Sequence, residues 1–352
     1  MIDTQRTAPE EIELWDDARV GAWQDYHLSG MPELLSAANL CHVLLALAGS
    51  GLLARLRDPE PATAGRLLDG FDAEVGAGLL RYLTVRGVLV EHGGRFRLTR
   101  RGELLTTDVA LARLGFYQEA YGPVTRRATD LLTGAASYGV DVTRAAGPLG
   151  RHSGTVSTSV YTQIVREALC ARSARRLLDL GCGAGSLLVE LCLALPDLSG
   201  IGVDTAAVSI EAARTLAADA GVDGRAAFAV ADAGDPATWP GAAAGADVIC
   251  TVGVLHELFR DGDQAVIDTL DRYAGVLDCG VLLLGEPELR YDDRENDSDF
   301  FLVHVLTAQG LPRGREAWLD LFERTSLRCR RVYRCAGAGP RTCFYELTRR
   351  ER

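Results

Sequence analysis

Residues 177–186 read LLDLGCGAGS. An apolar run carries an acid, Asp179, and then breaks into glycines at every second position, Gly181, Gly183 and Gly185. Such a stretch predicts a buried strand that turns tightly into a helix, with a backbone bare enough for a ligand to approach. The helix start that follows offers unpaired N–H groups to the same ligand. Outward from this turn the pattern alternates. Strands are expected at 176–180, 200–203, 226–230, 246–251 and 281–285, with helices such as 187–194 and 209–220 between them. Alternation of this kind predicts an α/β fold, a parallel sheet with helices on both faces. The final stretch differs: RCRRVYRC and RTCFYELTRR flank the turn AGAGP at 336–340 and predict an antiparallel hairpin at the sheet edge.

Two more acids fall at the carboxyl ends of expected strands. IGVD ends at Asp204, nineteen residues beyond Gly185, where a carboxylate can accept from both hydroxyls of a ribose. AVADAGD places Asp232 and Ala233 at the end of the next strand, and the fourth ends at Thr251. In an open parallel sheet all of these edges face one crevice. A dinucleotide site is the rival reading, but its loop is spaced G-x-G-x-x-G, whereas this one is G-x-G-x-G behind an acid. The latter form, with the closing hairpin, resembles the class I methyltransferases, a Rossmann-like fold that binds S-adenosylmethionine (SAM). The resemblance implies that Asp179, Gly181, Gly183 and Gly185 hold the methionine part, Asp204 the ribose, and Asp232, Ala233 and Thr251 the neighbourhood of the adenine and reactive centre.

The first half of the chain reads as helix. MPELLSAANLCHVLLALAGSGLLARL is a long apolar pair broken at Gly49–Gly51. A further helix ending near Arg86 is followed by short strands at 88–91 and 95–98 around Gly93–Gly94, the outline of a winged helix. A DNA-binding wing carrying Arg95, Arg97, Arg100 and Arg101 is one reading; a solvated wing, or one buried in a dimer, is the favoured one. The net charge of −11 argues against a nucleic-acid or anionic-membrane partner. All 37 basic residues are Arg. The nine cysteines form no CxxC and are expected as reduced thiols. The polar, acidic first residues do not read as a signal peptide, and no uninterrupted apolar run reaches the ~18 residues of a span, so a cytoplasmic protein is expected. The stretch 133–154, rich in Gly and small residues, is expected as a loop, with a helix from 161 leading into the second domain. Domains are expected at 1–165 and 166–352. The N-terminal helices carry more apolar surface than a small domain buries, which predicts a homodimer.

Two histidines stand near the ligand edge: His256, just beyond the fourth strand in VGVLHELFRDGD, and His304, beyond the fifth in DFFLVHVLTAQGLP. A helical, winged-helix-like first domain with LHE after the fourth strand resembles the plant-type and bacterial small-molecule O-methyltransferases, in which a His at the position of His256 takes a proton from a hydroxyl; Glu257 and Leu258 depart from that family's Asp and Trp. The two His segments are most similar to those of the metal-dependent α-keto acid C-methyltransferases of peptide-antibiotic pathways, such as the phenylpyruvate C-methyltransferase of mannopeptimycin biosynthesis. That resemblance implies His256 and His304 as ligands of one metal ion, Fe or Zn, and methylation at the β-carbon of a keto acid through a metal-stabilised enolate. Glu257, Glu286, Asp297 and Asp299 are the nearby acids available to complete a ligand set, and Glu257 is also a candidate base. An Arg is expected against the substrate carboxylate because its fork matches that group; Arg127 and Arg144 are the candidates. O-methylation of a phenolic or hydroxylated natural product, with His256 as base, is the alternative.

Overall fold

The computed structural model describes residues 10–12, 17–277, 280–288, 298–334 and 342–351. The chain divides into two compact units, Met1–Thr106 and Thr107–Arg352.

In the first unit, Met31–Ser50 forms one helix that stops where Gly51 takes a left-handed conformation, φ 80°. By its length of 20 residues and a mean hydropathy of 1.4 it is long and apolar enough to cross a membrane, contrary to the expectation that no apolar run reaches that length. Glu33, Ser36, Asn39 and His42 interrupt it, and Leu40, Leu44 and Leu47 are buried. Helix Ala73–Val85 begins at Asp72, whose carboxylate accepts from the N–H groups of Glu74 and Val75 at 3.0 and 2.9 Å. Strands β1 (Ala62–Thr63), β2 (Leu89–His92) and β3 (Arg95–Leu98) pair antiparallel in the order β1-β3-β2, with the turn at Gly93–Gly94. Three of the four wing arginines bond inside the unit: Arg95 to the Pro61 carbonyl, Arg100 to Glu103 and Arg101 to the Arg86 carbonyl.

The second unit is built on a seven-stranded sheet. Its strands are β4 (Arg176–Leu180), β5 (Ser199–Asp204), β6 (Ala226–Val230), β7 (Val248–Val252), β8 (Val281–Pro287), β9 (Leu327–Arg334) and β10 (Thr342–Arg349). Their order is β6-β5-β4-β7-β8-β10-β9; β4 to β8 pair parallel, and β10 lies antiparallel between β8 and β9. The parallel sheet with its closing antiparallel pair is therefore as expected, while the AGAGP turn lies outside the described residues. Successive residues alternate between two cores. Leu282, Leu284 and Tyr345 join Tyr273, Trp318 and Phe322 on one face. Leu283 and Phe344 join Leu188, Ile210 and Tyr161 on the other. Burial of both faces explains why these strands read as continuous apolar runs. The chain winds outward from β4 to β6 and then returns to place β7 on the other side of β4. The carboxyl ends of β4 and β7 thus flank a switch point, where such sheets hold ligands.

The expected boundary at 165/166 does not coincide with the division of the compact units at 106/107. The reason is a misread helix. Ala146–Cys170 is one helix of 25 residues that starts inside the stretch expected as a loop. A Cβ on Gly150 would meet the Ala184 amide and Ser209 Oγ, each at 3.3 Å, and one on Gly154 would meet Ser186 Oγ at 2.6 Å. The glycines that read as loop are there so that a helix can lie against the glycine turn of residues 181–185.

Candidate active site

A cavity of about 740 Å3 opens at the switch point, entirely within the second unit. Asp179, Gly181, Gly183, Asp204, Asp232 and Ala233 line it, with Gly150, Ser153 and Gly154 of the misread helix opposite. Gly181, Gly183 and Gly185 all have positive φ, between 53° and 77°, which only glycine adopts without strain. Asp204 braces the turn: one carboxylate oxygen accepts from the Gly183 N–H at 3.0 Å and the other from Ala206 at 2.8 Å. Asp232 accepts from the Gly234 N–H at 2.8 Å and shapes its own loop. Two of the expected cofactor residues stand back from the cavity. Gly185 is needed for packing, because a Cβ there would meet the Phe228 ring at 2.7 Å and Ala213 at 2.8 Å. Thr251 is fully buried inside β7, and the lining starts one residue later, at Val252.

Asp179 is the most telling of this group. It is buried, and its Oδ2 has no hydrogen-bond partner. Burial first, and then the charge of Asp204, push its carboxyl up to about 7. An orphaned carboxylate oxygen at the cavity wall is suited to a cationic ligand group, and the methionine part of SAM carries an ammonium and a sulfonium. The glycine turn, the doubly engaged Asp204 and this orphaned acid together fit SAM.

The two histidines are brought together. His256 lies in the helical turn Leu255–Asp261 after β7, and His304 near the end of helix Ser298–Leu306. Their Nε2 atoms are 3.0 Å apart, and the rings are only 2% and 1% exposed. Each ring is fixed from behind. His256 Nδ1 meets Glu286 Oε2 at 2.6 Å, and His304 Nδ1 meets the Phe300 carbonyl at 2.7 Å. A carbonyl and a carboxylate accept, so both Nδ1 atoms carry hydrogen, and in neutral rings both Nε2 atoms present lone pairs to each other. Burial, followed by the neighbouring His256, lowers His304 to about 4, so a second proton is disfavoured there. Two converging imidazole lone pairs are a donor set for a shared cation, close enough for both to reach one ion at the imidazole–metal distance of ~2.0–2.1 Å. The site fits the metal implied by the resemblance in these two donors. Among the described residues, no group of three or more His, Cys, Asp and Glu is arranged to hold a metal ion.

The remaining acids are accounted for individually. Glu286, at the end of β8, accepts from the Val254 and Leu255 N–H groups at 3.3 and 2.9 Å as well as from His256, so its oxygens are committed and it orients the His256 ring. Glu257 lines the cavity and is held by both arms of Arg144, at 2.9 and 3.4 Å. Asp299 is exposed, and Asp297 lies outside the described residues. Arg144 also donates to Tyr121 Oη at 3.1 Å, and burial raises that phenol to about 12. Arg144 therefore lines the cavity, with its fork already filled by Glu257. Arg127 does not line it: it sits at the exposed start of helix Ala128–Thr133, paired with Asp130 one turn on. Sequence reasoning missed Arg113, Phe116 and Phe300, which also line the cavity.

The two histidine segments are locked by Gly310. Its N–H donates to the Glu257 carbonyl at 3.0 Å, and a Cβ would lie 2.2 Å from the His256 carbonyl oxygen and 2.7 Å from the Phe259 and Arg260 amides. Gly310→Ala must push backbone apart. A loss of about 1–3 kcal/mol is expected by thermal unfolding, with turnover falling more than SAM affinity because the His256 turn shifts. An unchanged melting temperature would contradict this close approach.

Residues 171–272 match the family model of a methyltransferase domain. Among solved structures, the chain is similar to the mitomycin 7-O-methyltransferase MmcR, at 24% identity over 94% of this chain and 100% of that one, with a TM-score of 0.66. It is similar to NcsB1, an O-methyltransferase from neocarzinostatin biosynthesis solved with SAM and 2-hydroxy-5-methyl naphthoic acid, at 22% identity over 88% and 96% of the two chains and a TM-score of 0.55. It is also similar to RosA of Streptomyces davawensis, the N,N-8-amino-8-demethyl-D-riboflavin dimethyltransferase, at 20% identity over 92% and 99% and a TM-score of 0.56. No curated protein sequence matches the chain. The chain thus contains a methyltransferase domain, carried on a sheet with the class I methyltransferase fold. The fold is shared with these O-methyltransferases, and a helical region precedes the sheet in the sequence.

Proposed function

We propose that this chain is a SAM-dependent methyltransferase of natural-product biosynthesis and that it methylates the β-carbon of an α-keto acid. One observation carries the choice of acceptor: the Nε2 atoms of His256 and His304, each ring anchored through Nδ1, converge at 3.0 Å. A general base needs its free nitrogen open to the acceptor, and here that nitrogen is turned to the second imidazole. A metal ion held by His256 and His304 would supply Lewis acidity to the keto and carboxylate oxygens and make the β-hydrogen acidic. Transfer breaks the S–CH3 bond, forms a C–CH3 bond and releases one proton from the β-carbon. Glu257, steadied by Arg144 on the cavity wall, is the group to take that proton. Arg144 then positions Glu257, in place of the carboxylate-binding role expected from the sequence. Asp179, Gly181, Gly183 and Asp204 would hold SAM.

O-methylation is the second reading. The O-methyltransferases among the similar structures favour it, and the Glu286–His256 contact is what a base would use for orientation. RosA, named for methylation at nitrogen, has the same fold, so the fold alone leaves the acceptor atom open. Exposed Leu28, Leu34 and Leu35 of the first unit support a homodimer.

Incubating the protein with SAM and a panel of 2-oxo acids, with and without a strong chelator, tests the leading reading. Mass spectrometry should find a carbon-methylated product that chelation abolishes. Methylation of phenols alone, indifferent to chelation, would transfer the assignment to the second reading.

A further inference from the structure

The cavity contains two guanidinium groups, and they are in opposite states. Arg144 is satisfied: Glu257 takes both of its arms and Tyr121 a further hydrogen. Arg113, on helix Asp108–Gly115, donates to Tyr117 Oη at 3.2 Å and otherwise rests on aromatic faces, 5.2 Å from the Tyr117 centroid and 5.8 Å from that of Phe116. Among the described residues no carboxylate pairs with it. The acids that line the same cavity do not pair with Arg113. Asp179, Asp204 and Asp232 stand at the strand ends around the glycine turn, and Glu257 is held by Arg144. An Arg side chain cannot shed its charge, and its planar fork matches a carboxylate. This cavity-facing guanidinium therefore has spare donors and, among the described residues, no anion to receive them.

Arg113 lies next to the aromatic residues that lead to the two histidines. The chain makes a π-helical turn at Phe116–Ala120, directly after the helix that carries Arg113. Phe116 stacks on Phe300 at 6.2 Å between centroids, with an interplanar angle of 23°. Phe300 in turn lies 4.2 Å from His304. Arg113, Phe116, Phe300 and His304 thus follow one another along one aromatic wall.

We propose that Arg113 determines acceptor specificity by pairing a second carboxylate at the far end of the acceptor, so that the substrate is a dicarboxylic 2-oxo acid. This deepens the reading above and rests on it for the reaction, though not for the binding. The keto acid end faces His256 and His304, the short carbon chain lies along Phe116 and Phe300, and the distal carboxylate meets the fork of Arg113. A neutral side chain would leave that charge without a partner in the cavity, which is a penalty against the wrong acceptor as well as a gain for the right one.

The test is calorimetric titration of the protein, loaded with S-adenosylhomocysteine, with 2-oxoglutarate and with 2-oxohexanoate, which has no distal charge. Wild type should bind the dicarboxylate roughly 10- to 100-fold more tightly, the range of a hydrogen-bonded ion pair. Arg113→Gln should erase that ratio, and Arg113→Lys should restore part of it. Unchanged affinity for S-adenosylhomocysteine in both variants would certify their fold. A wild-type protein without the preference, or a preference that persists in Arg113→Gln, overturns the proposal. If the Arg113-dependent preference is found but no 2-oxo acid is methylated, the anion site stands and the C-methylation reading falls.

Discussion

Alanine at His304 will damage turnover as severely as alanine at His256, each lowering kcat/KM by on the order of 10²- to 10⁴-fold. The equality is the point. Were His256 a base acting alone, its loss would cost that factor, and His304, a helix residue with its Nδ1 on the Phe300 carbonyl, would be a packing group whose loss costs far less. A shared ion makes the two rings one device. Removing either leaves a single imidazole, too little to retain the ion, so the double variant should be no worse than the single ones. Metal content of the purified proteins, measured alongside kcat/KM, should fall to background in both single variants. Glu286→Gln offers a graded control. It keeps a hydrogen-bond acceptor for His256 Nδ1 but loses the charge that also receives the Val254 and Leu255 amides, and a loss of roughly 10- to 100-fold is expected for such an orienting partner. A His304→Ala enzyme that retains most of its activity would end the paired reading.

The sheet was legible because its strands are buried on both faces. Ala226–Val230 and Arg176–Leu180 could be bounded to the residue, since apolar runs with polar punctuation have few other meanings. The strand-end acids could be found because a parallel sheet puts every carboxyl edge on one side. What failed was the meaning of glycine away from the turn. In AGPLGRHSG it marks a helix without Cβ atoms, pressed against Ala184 and Ser186; no local pattern distinguishes that from a loop, because the partner is some thirty residues away in sequence. Among the site residues, His256 and His304 stood out by residue type. Arg113 did not, being one of 37 arginines, set apart only by having no acidic partner among the described residues. Arg127 was chosen on proximity in sequence, and its i, i+3 partner Asp130 was the available sign that it is a surface pair.

The second large effect belongs to Asp204. Its two carboxylate oxygens each accept one backbone N–H, from Gly183 and from Ala206, so it sets the glycine turn even before any ribose is present. Asp204→Ala should weaken binding of S-adenosylhomocysteine by on the order of 100-fold or more, since two hydrogen bonds to a charged group and the ligand contact disappear together. Asp204→Asn should be nearly as poor, because its amide NH2 would confront one of the two N–H donors. Asp179 should behave differently, through protons. Its carboxyl sits at about 7 in the fold, raised by burial and by Asp204, above the ~3.9 of an unfolded chain. The folded state therefore binds the extra proton between those values, and this group makes the unliganded protein less stable as pH rises from about 4 to about 7, with no further loss above. A cationic ligand group beside Oδ2 favours the ionised form. SAM binding at pH 6 should then release a proton, visible as a calorimetric enthalpy that depends on the buffer, and affinity should climb towards pH 7 and level off. Asp179→Asn should flatten that profile. A wild-type profile already flat, with no proton released, would remove Asp179 from the cofactor site while leaving Asp204 in it.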